Sequence, residues 1–417
     1  MHDIETLAEY AARPKDAPQL LEGIKVVDFT QFIAGPYATL MLADFGADVL
    51  KIERPGVGDE MRLIKQAELP NGDGGNYLWA NRNKRSVVLD LATASGREVA
   101  FELMARADVV VENFSSGVME RLDLGYERLA AVNPGVIYCS ISAAGRSGSM
   151  SQRTAFDPVA QAESGFVALN NPPGSAPRTL TSPLADITSG MMGAATILAA
   201  LAGRARLGRG QQVEVAMYDQ GINLLAYYAT DFLLSGEEPV PNSGEPHPAP
   251  SGIFSTGDKD IVICCANDRT FRKLTTVLGR EDLAQDPRYS TMAARTENAA
   301  AFFATLGEAL AADTRENWLA KMRAVGIPAG PVASVSEALS GPDIAERGLV
   351  SRIPHPIAGW VPHVRPPYRL SLTPVADPVA APAHGQHTRE VLQEVLGYRP
   401  EQLDALQASG GFGPAGA

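Results

Sequence analysis

From Ile24 to Ser142 the chain alternates between short β-branched runs and helical patterns, and this alternation limits the fold more than any single residue does. Ile24-Lys25-Val26-Val27-Asp28-Phe29 has the β-branched density of a strand, and Gly35-Pro36 opens a helical pattern lasting through Phe45. Strands follow at Asp48 to Glu53, Ser86 to Leu91, Asp108 to Glu112 and Val136 to Ser142, with a helix over Ser95 to Arg106. Strands separated by helices return in the same direction, so the pattern predicts a parallel sheet with helices on both faces, an open α/β domain.

Beyond the sheet, Leu184-Ala185-Asp186-Ile187 begins a helix that is expected to run to about Arg206, followed by a turn at Leu207 to Gly210 and a strand from Gln212 to Met217. The apolar run Met191 to Gly203 is too short to span a bilayer and reads as a buried helix. Five prolines between Glu237 and Pro250 mark a domain boundary. A second pattern then runs from Ile253 to about Val325, with a strand at Asp260 to Cys265 and helices over Ala300 to Ala312 and Arg315 to Val325. The C-terminal stretch reads as loop and short strand, closed by a helix from about Thr388 to Leu396.

With 417 residues, 45% of them hydrophobic, the chain can bury a large core. A formal charge of -12 argues against coating nucleic acid or an anionic membrane, because both need a basic footprint. Phosphate binding must therefore be local. Three cysteines, Cys139, Cys264 and Cys265, form neither a disulfide framework nor a zinc pair, and no signal peptide is read at the start. A cytoplasmic location is expected. His384 and His387 lack nearby ligands and read as surface residues, so no metal is expected.

Asp186 is the leading candidate for chemistry: a lone carboxylate at a helix start, followed by Gly190 and Gly193. Its bland reading is a helix cap. Its functional reading is a nucleophile, with helix-start N–H groups holding a developing oxyanion, lowering the Asp186 pKa and keeping it ionised. Arg54, Gly56, Gly58 and Arg62 follow a strand, where open α/β sheets bind ligands. Asn81-Arg82-Asn83-Lys84-Arg85 is a second basic cluster, and Asn113 and Arg121 follow another strand. Together these groups are expected along one sheet edge. His247, in the proline-rich segment, is a candidate for a loop residue visiting the site. Thr30 to Pro36 offers only Gly35, which weakens a dinucleotide reading, and no GxSxG or HExxH occurs.

As an ordered set, several motifs resemble the class III CoA-transferase family, which also contains CoA-ester racemases. They are Val27-Asp28-Phe29-Thr30 with Ala34-Gly35-Pro36, Gly46-Ala47-Asp48-Val49 with Lys51-Ile52-Glu53-Arg54, and Asn83-Lys84-Arg85-Ser86. Further carriers are Val111-Glu112-Asn113-Phe114, Gly208-Arg209-Gly210-Gln211 and Gly326-Ile327-Pro328-Ala329-Gly330-Pro331-Val332. The resemblance implies that Asp186 attacks an acyl-CoA thioester and that CoA passes to a small carboxylic acid through covalent aspartyl intermediates. Arg54, Leu89, Asn113 and Arg121 match positions near CoA, with Arg54 expected by the nucleotide phosphates and Leu89 against the adenine, while Ile33 falls where the thioester end is lined. CoA enters as substrate, and no tightly bound cofactor is implied.

The implied fold is a large Rossmann-like open α/β domain, with residues 1–236 and 331–417 as its two parts, and a linker and smaller α/β domain over 237–330. The proline-rich segments, including Gly326 to Pro331, would be struts between domains, and two subunits would thread through one another as an interlocked homodimer. The formyl-CoA:oxalate branch carries Gln at Ile33 and glycines near Ser243 to Ser251, so that transfer is not expected here. The racemase branch needs His before an Asp, and this chain has Phe156-Asp157, which favours transfer over racemisation. A CoA-binding protein without catalysis is the further alternative. Arg146, Arg153 and Arg178 are candidates to clamp the far carboxylate of a dicarboxylic acid, with succinyl-CoA as donor.

Overall fold

The predicted strands pair into one all-parallel sheet in the computed structural model, which describes residues 4–172, 174–241 and 250–412. They are β1 (Lys25–Asp28), β2 (Asp48–Glu53), β3 (Lys84–Val88), β4 (Val109–Glu112), β5 (Ile137–Ser142) and β6 (Gln211–Ala216), in the spatial order β3-β2-β1-β4-β5-β6. Val26 pairs with both Val49 and Val109, so side chains of one parity stack across neighbouring strands. One face carries Val26, Val49, Val109 and Val111 against Ala38, Leu42, Ile197 and Ala200. The other carries Val27, Leu50 and Val110 against Leu103, Val391, Leu392 and Leu403. These last three lie on helices Thr388–Leu396 and Pro400–Ala408, so the two ends of the chain share one core. Burial on both faces explains the unbroken valine runs.

By its contacts the chain divides into two units, Met1–Leu169 with Pro177–Pro239 and Arg347–Ala417, and Asn170–Ala176 with Val240–Glu346. The second contains an antiparallel sheet, β7 (Ser251–Ser255), β8 (Asp260–Cys264) and β9 (Ala329–Pro331), on a core that includes Ile261, Ile263, Phe271, Phe302 and Trp318. Its boundary is therefore Glu346 rather than 330. Gly326 to Pro331, expected as a strut, instead supplies β9, which pairs with β8 from Ile261↔Pro331 to Ile263↔Ala329. An antiparallel ribbon, β10 (Val350–His355) and β11 (Gly359–Val364), belongs to the first unit.

The order of the large sheet reverses between β1 and β4: the chain runs outward from β1 through β2 to β3, then crosses to β4 on the other side. Loops leaving β1 and β4 diverge there and open a crevice at the strands' carboxyl ends. The β1 loop is pinned almost residue by residue. Asp28 accepts the N–H of Thr30 at 2.9 Å and the hydroxyls of Thr30 and Thr39 at 2.5 and 2.6 Å. Lys51 donates to the Thr30 carbonyl at 2.9 Å and pairs with Asp59 at 2.9 Å, while Asp59 accepts the N–H of Phe32 at 3.1 Å. Asn113 accepts the Gln31 N–H at 2.9 Å and donates to its carbonyl at 2.8 Å. Phe32, at φ 64, is thus held in a left-handed conformation that a non-glycine residue rarely adopts.

Lys84 completes this lattice, 3.1 Å from Asp28 and donating to the Pro36 carbonyl at 2.9 Å and to Asn81 at 3.0 Å. Burial opposes the Asp28 charge, but Lys84, Lys51 and the threonine hydroxyls outweigh it and hold the carboxyl below its usual range. Burial draws the Lys84 ammonium down to about 8 against the pull of Asp28. The basic cluster at Asn81 to Arg85 is therefore not a phosphate-facing edge. It lies at the amino end of β3, where Arg82 binds Asp44 and Arg85 binds Asp48 and Glu394.

The long helix, Leu184–Leu207, has 24 residues and is long and apolar enough to cross a bilayer by length and composition alone, whereas the apolar run within it read as too short. Here it lies along the Ala34–Asp44 helix and the sheet, burying Gly190, Gly193, Ala194, Ile197 and Ala200. A Cβ at Gly190 would lie 2.5 Å from the Ala34 carbonyl oxygen, and one at Gly193 2.8 Å from the end of the Ile141 side chain.

Gly190→Ala is expected to lower stability: better helix propensity returns about 1 kcal/mol, but a methyl group driven into backbone costs about 1–3 kcal/mol. Gly193→Ala should cost less, because Ile141 can turn aside. Lys84→Met should cost about 3–5 kcal/mol by stranding the buried Asp28 charge. Denaturant unfolding of the three variants checks the ranking.

Candidate active site

The crevice at the reversal point encloses a cavity of about 270 Å³ whose walls belong wholly to the first unit. They come from the loops after β1, β4 and β5, from the segment around Arg153 to Phe156, and from Asp186 on the long helix. Ile33 and Asn113 line it with Asp186, so three of the six residues proposed from sequence meet in one place.

Asp186 is not the helix cap. It occupies the third helical position, and the cap residue is Pro183. All four N–H groups of the first turn are already used: Leu184 donates to the Ser182 carbonyl at 2.8 Å and Ile187 to that of Pro183 at 3.0 Å. Ala185 and Asp186 both donate to Asp157 Oδ1, at 2.7 and 3.2 Å. The expected oxyanion donors at this helix start are therefore absent, and so is their stabilising effect on the Asp186 charge. Burial, and secondly the Asp157 charge, push the Asp186 carboxyl up to about 7, opposite to the lowering expected.

The other proposed positions stand elsewhere. Arg54 follows β2 as expected but is exposed, 2.9 Å from Glu60 and outside the crevice walls. Leu89 is wholly buried in the apolar layer with Ile52, Val87 and Val99, so its side chain has no surface to lay against an adenine. Arg121 ends the short helix Val118–Arg121, exposed and outside the walls. Of the three arginines considered for a carboxylate clamp, Arg146 is bound by Glu112 at 2.9 Å and by Glu120, and Arg178 does not line the crevice. Arg153 does, pairing with Glu163 at its mouth.

Phe156 also lines the crevice, its ring 5.3 Å from that of Phe32 in an edge-on contact. Among the described residues lining the walls, Asp186 is the sole carboxylate and no histidine occurs. His247 and most of Ser243 to Ser251 lie outside the described residues. His384 and His387 are half-buried rather than free at the surface: His384 Nε2 contacts the Arg54 carbonyl at 2.9 Å, and His387 Nδ1 accepts the Ser86 N–H at 3.2 Å. Among the described residues, no group of three or more His, Cys, Asp or Glu side chains could hold a metal ion.

The parts that two residues play in and beside the crevice escaped the sequence reading. Ser116 lines it with a buried hydroxyl that has no hydrogen-bond partner among the described residues, and nothing in Phe114-Ser115-Ser116-Gly117 signals this. Asp157 had a signal: Asp-Pro followed by Gln161 one turn later marks a helix start with a side-chain pair.

Residues 21–388 match the description of CoA-transferase family III. Succinyl-CoA:glutarate CoA-transferase of Mus musculus is 32% identical over 406 residues, covering 96% of this chain and 93% of that protein. Formyl-CoA:oxalate CoA-transferase of Streptomyces avermitilis is 33% identical over 407 residues, covering 94% and 98%. The crystal structure of a CAIB/BAIF family protein from Brucella suis superposes with a TM-score of 0.83 at 35% identity, covering 90% of this chain and 99% of that one. Motifs, sheet order and relatives agree, and the chain belongs to CoA-transferase family III.

Proposed function

We propose that this acyl-CoA:carboxylate CoA-transferase works through covalent intermediates on Asp186. The observation that carries the reading is a half-buried carboxylate, free of hydrogen bonds among the described residues, in the wall of the crevice where the sheet order reverses. An Asp186 oxygen attacks the thioester carbonyl carbon, the C–S bond breaks, and CoA thiolate leaves behind a mixed anhydride. The thiolate then attacks the aspartyl carbonyl and expels the donor acid, forming an aspartyl-CoA thioester. The acceptor carboxylate attacks that thioester, again releasing thiolate, which takes the acceptor's acyl carbon and frees Asp186. The exchange as a whole replaces one thioester by another of similar energy, so no thioester energy is lost unless water enters.

Ile33 and Asn113 would face the thioester end, and Asn113 also braces the β1 loop. Arg54 and Arg121, exposed outside the crevice, would reach only the nucleotide part of CoA. Small dicarboxylic acids are the acceptors we favour, with succinyl-CoA as donor. Arg153 supports this, as the single cation among the described residues in the crevice walls, and so does the naming of relatives for glutarate and oxalate. Phe156 in place of a base supports transfer over racemisation, which needs a second proton acceptor. We also propose a homodimer: the helix Ala226–Ser235 buries none of its residues and exposes Tyr227, Leu233 and Leu234 at 78–82%.

Asp186→Ala is expected to reduce CoA exchange between labelled succinyl-CoA and free acids by about three orders of magnitude or more. Hydroxylamine added during turnover should label Asp186, read by mass spectrometry. Near-wild-type exchange, or labelling elsewhere only, would sink the reading. Arg153→Ala should raise the KM for a dicarboxylic acceptor about tenfold to a hundredfold, the loss of one charge-assisted contact, and leave that for a monocarboxylic acid nearly unchanged. Equal effects on both acids would remove Arg153 from acceptor recognition.

A further inference from the structure

Asp157 draws notice in the sequence only for what stands before it, yet three hydrogen bonds tie its carboxylate in beside the crevice. Its Oδ1 takes the N–H groups of Ala185 and Asp186, and its other oxygen accepts the side-chain amide of Gln161, one turn along the Asp157–Glu163 helix. Gln161 is held in turn by Leu180, whose N–H donates to its Oε1 at 2.8 Å. Asp157 and Gln161 are 4% and 2% exposed, so the pair that links Leu180 to the start of the long helix is itself buried. Asp157 does not line the crevice and has no access to a substrate.

We propose that Asp157 is a positioning residue for CoA transfer: by capping the long helix it fixes Asp186 in the crevice wall and withholds from it the N–H groups that would otherwise bind its carboxylate. The inference rests on Asp186 being the nucleophile. A carboxylate in a helix's first turn ordinarily gathers the free N–H groups there, which stabilises its charge and makes it less nucleophilic. Here a second carboxylate occupies those donors, and the Asp186 lone pairs stay available. Attack on an acyl carbon removes the negative charge from Asp186, so bond formation relieves both its desolvation and its repulsion by Asp157. Other charged groups on the surrounding elements are Glu163, paired with Arg153, Asp219 on the Met217–Leu224 helix, Glu214 on β6, Asp44, paired with Arg82, and Arg204 and Arg206 in the last turn of the long helix. Asp157 is the charge that acts on Asp186.

The test compares Asp157→Asn, which keeps a capping oxygen but no charge, with Asp157→Ala, which keeps neither. In the full chain, kcat/KM for CoA exchange from succinyl-CoA should rise with pH through a limb near 7, where Asp186 ionises. Asp157→Asn should move that limb down by about one pH unit. Asp157→Ala should lose about tenfold to a hundredfold in exchange, and Asp157→Asn should restore most of it.

Melting gives a reading without turnover. Raised from 3.8 to about 7, the Asp186 carboxyl costs stability progressively as pH rises between those values. Asp186→Asn should therefore melt with its parent near pH 4 and above it beyond pH 7, and in the Asp157→Asn background this gap should stop growing at a lower pH and end smaller. An unmoved limb or melting gap in Asp157→Asn overturns the proposal, as does full exchange in Asp157→Ala. Exchange that survives Asp186→Ala overturns the nucleophile instead, which separates the two failures.

Discussion

The buried charge lattice under the β1 loop is what the active crevice depends on. A parallel sheet that reverses its order opens a crevice without further instruction, but an open crevice is only useful if its walls hold still. Dinucleotide-binding sheets build the loop after β1 from glycines, so that backbone can lie against phosphate. This chain does the opposite. Asp28, Lys51, Asp59 and Asn113 satisfy the backbone of Thr30, Gln31 and Phe32 almost atom by atom, and Lys84 locks Asp28 from beneath. The loop thereby becomes a rigid wall presenting side chains, Phe32 and Ile33 among them, rather than a cradle presenting N–H groups.

Such a lattice is not a source of net stability by default, since desolvating four charged groups costs about as much as their pairing returns. Its value lies in specificity of geometry. Phe32 is held in a left-handed conformation that costs about 1–2 kcal/mol, and only a fully satisfied neighbourhood can impose that. The same logic applies across the crevice, where Gly190 and Gly193 bring the long helix against the Ala34–Asp44 helix. Asp186 then projects from one rigid body towards a loop fixed by another.

The large sheet was legible because its strands are buried on both faces and leave unbroken β-branched runs, and because helices of ordinary length separate them. The motif set placed Asp186, Ile33 and Asn113 together without any geometry. What failed were readings that needed a side chain's direction or partner. Arg82, Lys84 and Arg85 look like a phosphate site in one dimension and are spent on Asp44, Asp28 and Asp48 in three. Leu89 lies one residue past the end of β3 and faces the core. The Gly326 to Pro331 segment has a linker's composition yet pairs as an edge strand, where prolines are tolerated because one side needs no donor.

The hardest reading was the charge state of Asp186, because residue type and position point the wrong way. Asp in the first turn of a helix is ordinarily a stabilised anion, and its pKa should fall. Two carboxylates compete here for one set of donors, and position alone does not tell which wins. Asp157 wins because it approaches along the helix axis from a separate helix and is itself held by Gln161. Asp186, within the helix, projects sideways into the crevice wall. Of the two acids at this corner, the one with the donors is buried and out of reach of substrate, and the one without them faces the cavity. That division lets a helix terminus, ordinarily a place where anions are quietened, leave one carboxylate facing the cavity with no donor of its own among the described residues.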